Sequence, residues 1–140
     1  MHIHYNTITG NIIAWGDGPG CEPYQPGHAV MDTPKRLIDS TRHKVDPVTR
    51  LVVDKTQGDL MAALSIEVAR AIERELGFTD HFVDPPSDRP RKGAFALDWR
   101  PYREALRRLS DLPTPVDMVK AWPVRPDGAD AIAELRGRIP

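Results

Sequence analysis

Two histidines near the N-terminus are the first residues whose spacing suggests chemistry. His2 and His4 are two residues apart, so on a β-strand both side chains project from the same face and can share a metal ion. His28, His43 or His81 would then supply a further ligand. No carboxylate–histidine motif of the HExxH kind accompanies them, which favours ordinary hairpin residues. No metal is predicted, and a metal hydrolase is the enzymatic alternative.

The other candidates for catalysis or phosphate binding lie in residues 16–27. Cys21 is the only cysteine, and the negative charge of Glu22 beside it disfavours a reactive thiolate. Residues 16–20 are rich in glycine, but Pro19 removes an amide that a phosphate would use, and no helix is expected to follow. The sequence therefore predicts no catalytic residue, no cofactor and no enzymatic activity.

A basic and aromatic segment covers residues 89–108. It holds seven Lys or Arg side chains against two acidic ones, and Trp99 and Tyr102 lie within it. Basic charge with interleaved aromatic side chains can bind single-stranded nucleic acid, so a nucleic-acid-binding module is one alternative. The aromatic residues share helical spacing with leucines, however, which favours a buried stripe. Arg103 and Arg107 would then face solvent or an acidic partner.

The same helix has the composition of an interface hot spot, in which aromatic and arginine side chains dominate affinity. The residues predicted to bind a partner protein are Trp99, Tyr102, Arg103, Leu106, Arg107 and Trp122. The alternative is that the aromatic side chains hold the C-terminal segment onto its own sheet. The sequence leaves these two interpretations open.

The elements that position these residues begin with two predicted hairpins. Residues 2–5 and 11–15 have the patterns of paired strands, and Gly10 can adopt the positive φ of the turn between them. The pattern recurs over residues 44–53, where Arg50 occupies the position of Gly10. A shared turn would therefore place an arginine in the left-handed region, at a cost of about 1 kcal/mol.

Between the hairpins, the twelve residues from 16 to 27 include seven Gly or Pro, which predicts a surface loop. Residues 28–31 are expected to form a short third strand.

A long amphipathic helix is predicted over residues 59–76. One face carries Met61, Leu64, Val68, Ile72 and Leu76, and the opposite face is charged.

Thr56 or Asp59 can cap the start of this helix and Gly77 its end. We expect the helix to pack over the N-terminal sheet, with a recognition or oligomerisation helix as the alternative.

Prolines divide the rest of the chain. A second helix is expected to begin after Asp98, with Glu104 and Arg108 at a favourable spacing for an ion pair. Prolines within residues 112–115 end that helix, and a last short helix is predicted within residues 129–136.

The predicted fold class is α+β, with N-terminal antiparallel β-hairpins followed by a helical, proline-punctuated C-terminal half. The predicted divisions are a hairpin region (1–55), a central helix (56–80), a proline-rich linker (81–97) and a helical C-terminal segment (98–140).

Length and composition are those of one small domain or two small lobes. The chain has 140 residues with 14 prolines and 10 glycines, which favours short elements and many turns. The net charge of -1 gives no overall attraction to nucleic acid or anionic lipid. No apolar run reaches membrane-spanning length, and the start lacks the pattern of a signal peptide. We therefore expect a cytoplasmic protein with no membrane partner.

Two stretches resemble known proteins. Residues 98–109 (DWRPYREALRRL), followed by Leu112-Pro113 and Trp122-Pro123, resemble the C-terminal signature of bacteriophage tail assembly chaperones and tail-fibre assembly proteins. That signature has a Trp, then Tyr-Arg-x-x-Leu-Arg, a proline break and a closing Trp-Pro. The opening residues 3–15 are similar to the start of small phage tail-associated proteins.

The resemblance implies a non-enzymatic tail-module protein that acts through protein–protein contacts. A structural component of the virion tail or tail fibre is the preferred expectation, and an assembly chaperone absent from the virion is the alternative. The implied partners are phage tail or tail-fibre proteins, with self-association left open. The implied location is the host cytoplasm during assembly and then the virion tail.

Overall fold

The computed structural model describes residues 1–17, 25–34, 37–83 and 92–139. The strands are β1 (His2–Asn6), β2 (Ile12–Gly16), β3 (His28–Asp32), β4 (His43–Val45) and β5 (Val52–Asp54). The α-helices are α1 (Gln57–Val83), α2 (Arg100–Arg108), α3 (Pro115–Lys120) and α4 (Ala133–Arg136). Short 3₁₀ turns cover Gly93–Ala96 and Leu109–Asp111. Antiparallel strands followed by helices confirm the predicted α+β class.

The chain divides into two compact units, an N-terminal unit (Met1–Leu60) and a C-terminal unit (Met61–Pro140). In the N-terminal unit, β1 is the middle strand of a three-stranded antiparallel sheet in the order β2-β1-β3, and β4 pairs with β5. The third strand predicted within residues 28–31 is thus confirmed as β3. The core of this unit consists of Ile3, Tyr5, Ile12, Ile38 and Val45.

The turn between β1 and β2 has the predicted form. The side-chain oxygen Oδ1 of Asn6 accepts hydrogen bonds from the backbone N–H groups of Ile8 and Thr9, each at 2.9 Å. The N–H of Gly10 donates to the carbonyl oxygen of Asn6 at 2.8 Å, and Gly10 has φ 72°. An Asx side chain therefore closes the turn and a left-handed residue ends it.

The turn between β4 and β5 repeats these bonds. Oδ1 of Asp46 accepts from the N–H groups of Val48 and Thr49 at 2.8 and 3.1 Å. The N–H of Arg50 donates to the carbonyl oxygen of Asp46 at 2.8 Å, and Arg50 has φ 53°. The prediction of a shared turn with a left-handed arginine is confirmed.

Packing explains why one turn ends in glycine and the other does not. Gly10 is buried, and a Cβ atom built on it would collide with the carbonyl oxygen of Val45. The N–H of Val45 also donates to the carbonyl oxygen of Gly10 at 2.9 Å. Arg50 is exposed. The first turn therefore requires glycine because there is no space for a Cβ atom. The second turn has that space and accepts Arg50 at the cost of its left-handed φ.

We expect Arg50→Gly to raise the free energy of unfolding by about 0.5–1 kcal/mol. Relief of left-handed strain of about 1–2 kcal/mol exceeds the added entropy of a glycine in the unfolded chain, about 0.5–1 kcal/mol. Urea denaturation followed by circular dichroism measures the change. Gly10→Ala is the opposite control, with an expected loss of about 2 kcal/mol or more. An Arg50→Gly protein no more stable than the parent would contradict the strain argument.

Helix α1 begins with the predicted cap. The N–H of Asp59 donates to Oγ1 of Thr56 at 3.2 Å, and the N–H of Thr56 donates to Oδ2 of Asp59 at 2.8 Å. This reciprocal pair satisfies backbone donors at the helix start. The ammonium group of Lys44 lies 2.7 Å from Asp59, and its hydrogen bond, with that of Thr56, lowers the pKa of Asp59 to about 2.

The predicted end of this helix at Gly77 is wrong. α1 continues to Val83, so residues 81–83 are helical rather than the start of a linker. Residues 84–91, the middle of the predicted linker, lie outside the described residues. A glycine inside a helix costs only about 1 kcal/mol relative to alanine, and contacts made beyond Gly77 offset that cost. Phe82 stacks on Trp99 with ring centroids 4.8 Å apart.

The buried face of α1 belongs to a helical core. Its buried apolar residues Leu64, Val68 and Ala71 pack with residues of α2, α3, α4 and their connections. The other members of this core are Trp99, Tyr102, Leu106, Leu109, Val119, Trp122, Ile132 and Leu135. The buried face of α1 thus contributes to a core made with the C-terminal helices, and its packing over the N-terminal sheet stays a prediction.

The remaining helices agree in part with the sequence. Oδ1 of Asp98 accepts from the N–H of Arg100 at the start of α2, at 3.2 Å, and Arg108 pairs with Glu104 at 2.5 Å, as predicted. The last helix, α4, is shorter than the predicted segment. Helix α3 was not predicted, although Thr114 caps it by accepting from the N–H of Asp117 at 3.1 Å.

Candidate functional site

Five of the six residues predicted to bind a partner are buried in the C-terminal unit. These five are Trp99, Tyr102, Arg103, Leu106 and Trp122, and only Arg107 is exposed. A side chain without accessible surface cannot contact a partner while its unit keeps this fold. The predicted partner-binding face is therefore part of the core, and that core is built on α1 rather than on a sheet.

Trp99 shows why this face is turned inward. Its side chain is 1% exposed, and its indole Nε1 donates to the carbonyl oxygen of Ala94 at 2.7 Å. The ring stacks on Phe82 and meets Tyr102 edge-on at a centroid distance of 6.0 Å. Such aromatic pairs stabilise a fold by about 0.5–1.5 kcal/mol beyond the burial of their surface. Trp99 thus has both its apolar surface and its polar atom satisfied within the unit.

Arg103 is buried for a different reason. Its Nη1 donates to the carbonyl oxygen of Leu76 at 2.5 Å and to Oγ1 of Thr79 at 2.9 Å. Its Nη2 contacts Oδ1 of Asp80 at 2.8 Å. The prediction that Arg103 shares a solvated face with Arg107 is wrong, because the guanidinium group instead binds the last turns of α1. An arginine satisfied by three partners can be buried at an acceptable cost.

A buried polar cluster joins α1 to the segment that follows α3. The carboxylate of Glu75 is 5% exposed and accepts from the hydroxyl of Tyr102 at 2.9 Å. Nη1 of Arg125 lies 3.7 Å from Glu75, and Nη2 lies 2.9 Å from Asp127. Burial raises the pKa of the Tyr102 hydroxyl, which keeps that group protonated as a donor to Glu75.

Arg125 also lies over two aromatic rings of this cluster. Its guanidinium carbon is 5.1 Å from the centroid of Phe78 and 5.4 Å from that of Trp99. A carboxylate, a phenol and an arginine are groups that catalyse proton transfer in other settings. Here Glu75 and Tyr102 are almost fully enclosed and satisfy one another. We interpret the cluster as an anchor for the chain around Arg125, a role that the sequence alone did not reveal.

Within the described residues of the basic segment, Trp99 and Tyr102 offer no stacking surface for nucleic acid. Trp99 and Tyr102 are buried, so neither ring is open to a base. Arg103 and Arg108 are each paired with an acidic side chain. Residues 84–91, which include part of this segment, lie outside the described ranges.

The histidines have local partners instead of a common site. Nδ1 of His2 contacts the carboxylate of Asp32. Nδ1 of His43 accepts from the N–H of Asp39 at 3.0 Å, and His4 is buried. Within the part of the chain that the structure describes, no three His, Cys, Asp or Glu side chains are grouped closely enough to hold a metal ion. Cys21 lies outside that part.

Two exposed apolar side chains occupy the same position in the two turns. Ile8 is 83% exposed and Val48 is 91% exposed. Each lies two residues after the Asx residue that closes its turn, Asn6 or Asp46. The turn geometry requires the Asx side chain and the left-handed residue, but it places no demand on this third side chain. Folding therefore does not explain a β-branched apolar residue there. The repeat of the two turns in the sequence carries this signal, since Ile8 and Val48 hold the same position in it.

None of the helices in the described ranges combines the length and apolarity needed to cross a membrane. Comparison of the chain with protein-family models, with curated proteins and with solved structures found no match in any of the three.

Proposed function

We propose that this protein acts through protein–protein contacts as a structural component of a bacteriophage tail or tail fibre. The observation that carries the contact role is the pair of exposed apolar side chains, Ile8 and Val48, at the tips of two turns with the same hydrogen bonds. An exposed apolar side chain at a turn tip is accessible to a partner, and its burial in a contact is favourable. The tail assignment is supported by the resemblance of residues 98–123 to tail assembly and tail-fibre assembly proteins.

In this proposal the partner contacts the two turn tips and not the aromatic face of α2, which the sequence pattern predicted as the binding surface. Trp99 and Tyr102 then have the role of core residues that hold the C-terminal unit together. An assembly chaperone that leaves before the virion is complete is the alternative form of the same proposal. Both forms need an exposed surface for a partner, and they differ in whether the protein stays in the particle.

The test combines particle composition with turn-tip variants. Particles purified from the strain that carries the gene are analysed by mass spectrometry, and the structural form predicts a fixed number of copies per particle. In the double variant Ile8→Ser with Val48→Ser, we expect incorporation to fall about tenfold, since two buried apolar contacts contribute more than about 1.4 kcal/mol. Val124→Ser, an 84% exposed residue of the C-terminal unit, is the matched control.

The outcomes separate the proposals. Incorporation of the turn-tip variant at the level of the parent would show that the partner contacts another surface. Particles that lack the protein but fail to form without its gene would support the chaperone. Particles that neither contain nor need the protein would overturn the tail assignment itself.

A further inference from the structure

A groove with a volume of about 470 Å³ lies in the C-terminal unit between α1 and residues 130–135. Its accessible apolar lining includes Ala131, which is half-buried, and Ala133, which is exposed. Pockets of about 300–1,000 Å³ accommodate small ligands or a few side chains of a partner. We call this feature the arginine groove, because Arg70 and Arg74 of α1 line it.

Most acidic side chains of the groove are already neutralised. Oε2 of Glu67 accepts from Nη1 of Arg138 at 2.6 Å. Oδ2 of Asp130 lies 3.1 Å from Nε of Arg136. Two of the three carboxylates that line the groove therefore have an arginine partner, and Glu134 is the third.

Arg70 and Arg74 have no such partner. Both are exposed, and within the described ranges neither has an ion pair or a side-chain hydrogen bond. They are four residues apart on α1, a spacing at which like charges destabilise a helix by a few tenths of a kcal/mol, about 0.2–0.5. The repulsion between Arg70 and Arg74 therefore does not contribute to the stability of the helix. Two unpaired guanidinium groups beside one free carboxylate leave a local excess of positive charge at a groove whose lining is half charged and half apolar.

We propose that the arginine groove binds an acidic segment of a partner protein. Carboxylates of that segment pair with Arg70 and Arg74, and small apolar side chains lie against Ala131 and Ala133. Guanidinium groups form two parallel hydrogen bonds with a carboxylate, and arginine is enriched where interfaces concentrate their affinity. This site is distinct from the turn tips, and it stands whether or not the protein belongs to a phage tail.

The test is direct binding of a short peptide to the whole chain. A fluorescein-labelled peptide in which glutamate alternates with alanine is titrated by fluorescence anisotropy, beside a second peptide with glutamine in place of glutamate. We expect the glutamate peptide to bind the parent protein. The double variant Arg70→Gln with Arg74→Gln should bind that peptide about tenfold or more weakly. Glu134→Gln should strengthen binding a few-fold, about two to five times, by removing the free carboxylate.

Arg107→Gln is the matched control, because Arg107 is an exposed arginine on α2 that does not line the groove. Circular dichroism confirms that each variant is folded. In the charge-reversed variant Arg70→Glu with Arg74→Glu, affinity should shift to a lysine–alanine peptide. The proposal is overturned if the glutamate peptide fails to bind at millimolar concentration, if the double variant and Arg107→Gln behave alike, or if free glutarate binds as tightly as the peptide.

Discussion

Trp99→Ala is expected to lower the free energy of unfolding of the C-terminal unit by about 3–5 kcal/mol. The substitution leaves a cavity beside Phe82 and Tyr102, removes the stacked ring pair, and leaves the carbonyl oxygen of Ala94 without its indole donor. A loss of this size is a large part of the about 5–15 kcal/mol that stabilises a typical domain. We therefore expect unfolding at a much lower denaturant concentration than in the parent protein.

Chemical denaturation followed by helical circular dichroism measures this loss. Trp15→Ala is the matched control, since Trp15 is 44% exposed on β2 and its removal should cost about 1 kcal/mol or less. A Trp99→Ala protein that stays as stable as this control would contradict the core role and would restore the partner-binding interpretation of the aromatic face.

Arg103→Met is expected to lower the free energy of unfolding by about 2–4 kcal/mol. The methionine fills much of the volume but removes the guanidinium donor to the carbonyl oxygen of Leu76 and to the hydroxyl oxygen of Thr79. The Thr79 hydroxyl keeps its own bond to the carbonyl oxygen of Glu75. A hydrogen bond from a charged donor contributes about 1.5–3 kcal/mol, and the substitution removes two of them. The ion pair with Asp80 contributes less, because that carboxylate is largely exposed.

The neighbouring arginine on α2 supplies the comparison. Arg107→Met removes the same charge from an exposed position and should change stability by about 0.5 kcal/mol or less. Arg103→Lys should give an intermediate loss, since one ammonium group cannot reproduce the planar donors of arginine. Equal stabilities for Arg103→Met and Arg107→Met would show that the buried hydrogen bonds of Arg103 do not stabilise the unit.

The turns were predictable because their determinants are local. In each turn an Asx side chain bonds backbone groups two and three residues ahead, so a short stretch of sequence contains all the required atoms. The start of α1 is local for the same reason, since Thr56 and Asp59 cap each other. The overlooked helix α3 also has a local signal, because Thr114 precedes Pro115 and is followed three residues later by Asp117.

The end of α1 and the burial of Arg103 could not be read from local patterns. Gly77 is a common helix terminator, and only contacts with residues far along the chain extend α1 past it. Helical periodicity assigns an arginine beside a buried stripe to solvent, whereas the acceptors of Arg103 lie more than twenty residues earlier, at Leu76 and Thr79. The candidate binding surfaces depend on exposure and on ion pairing, which a sequence does not state.

The contacts that hold the last turns of α1 have a consequence for synthesis. Residues after Gly77 leave the ribosome before Trp99 and Arg103, which supply the stacking partner of Phe82 and the donor to Leu76. A helix end that contains a glycine and lacks its packing partner is marginal in water. We therefore expect the nascent chain to complete this helix only after α2 has emerged from the exit tunnel.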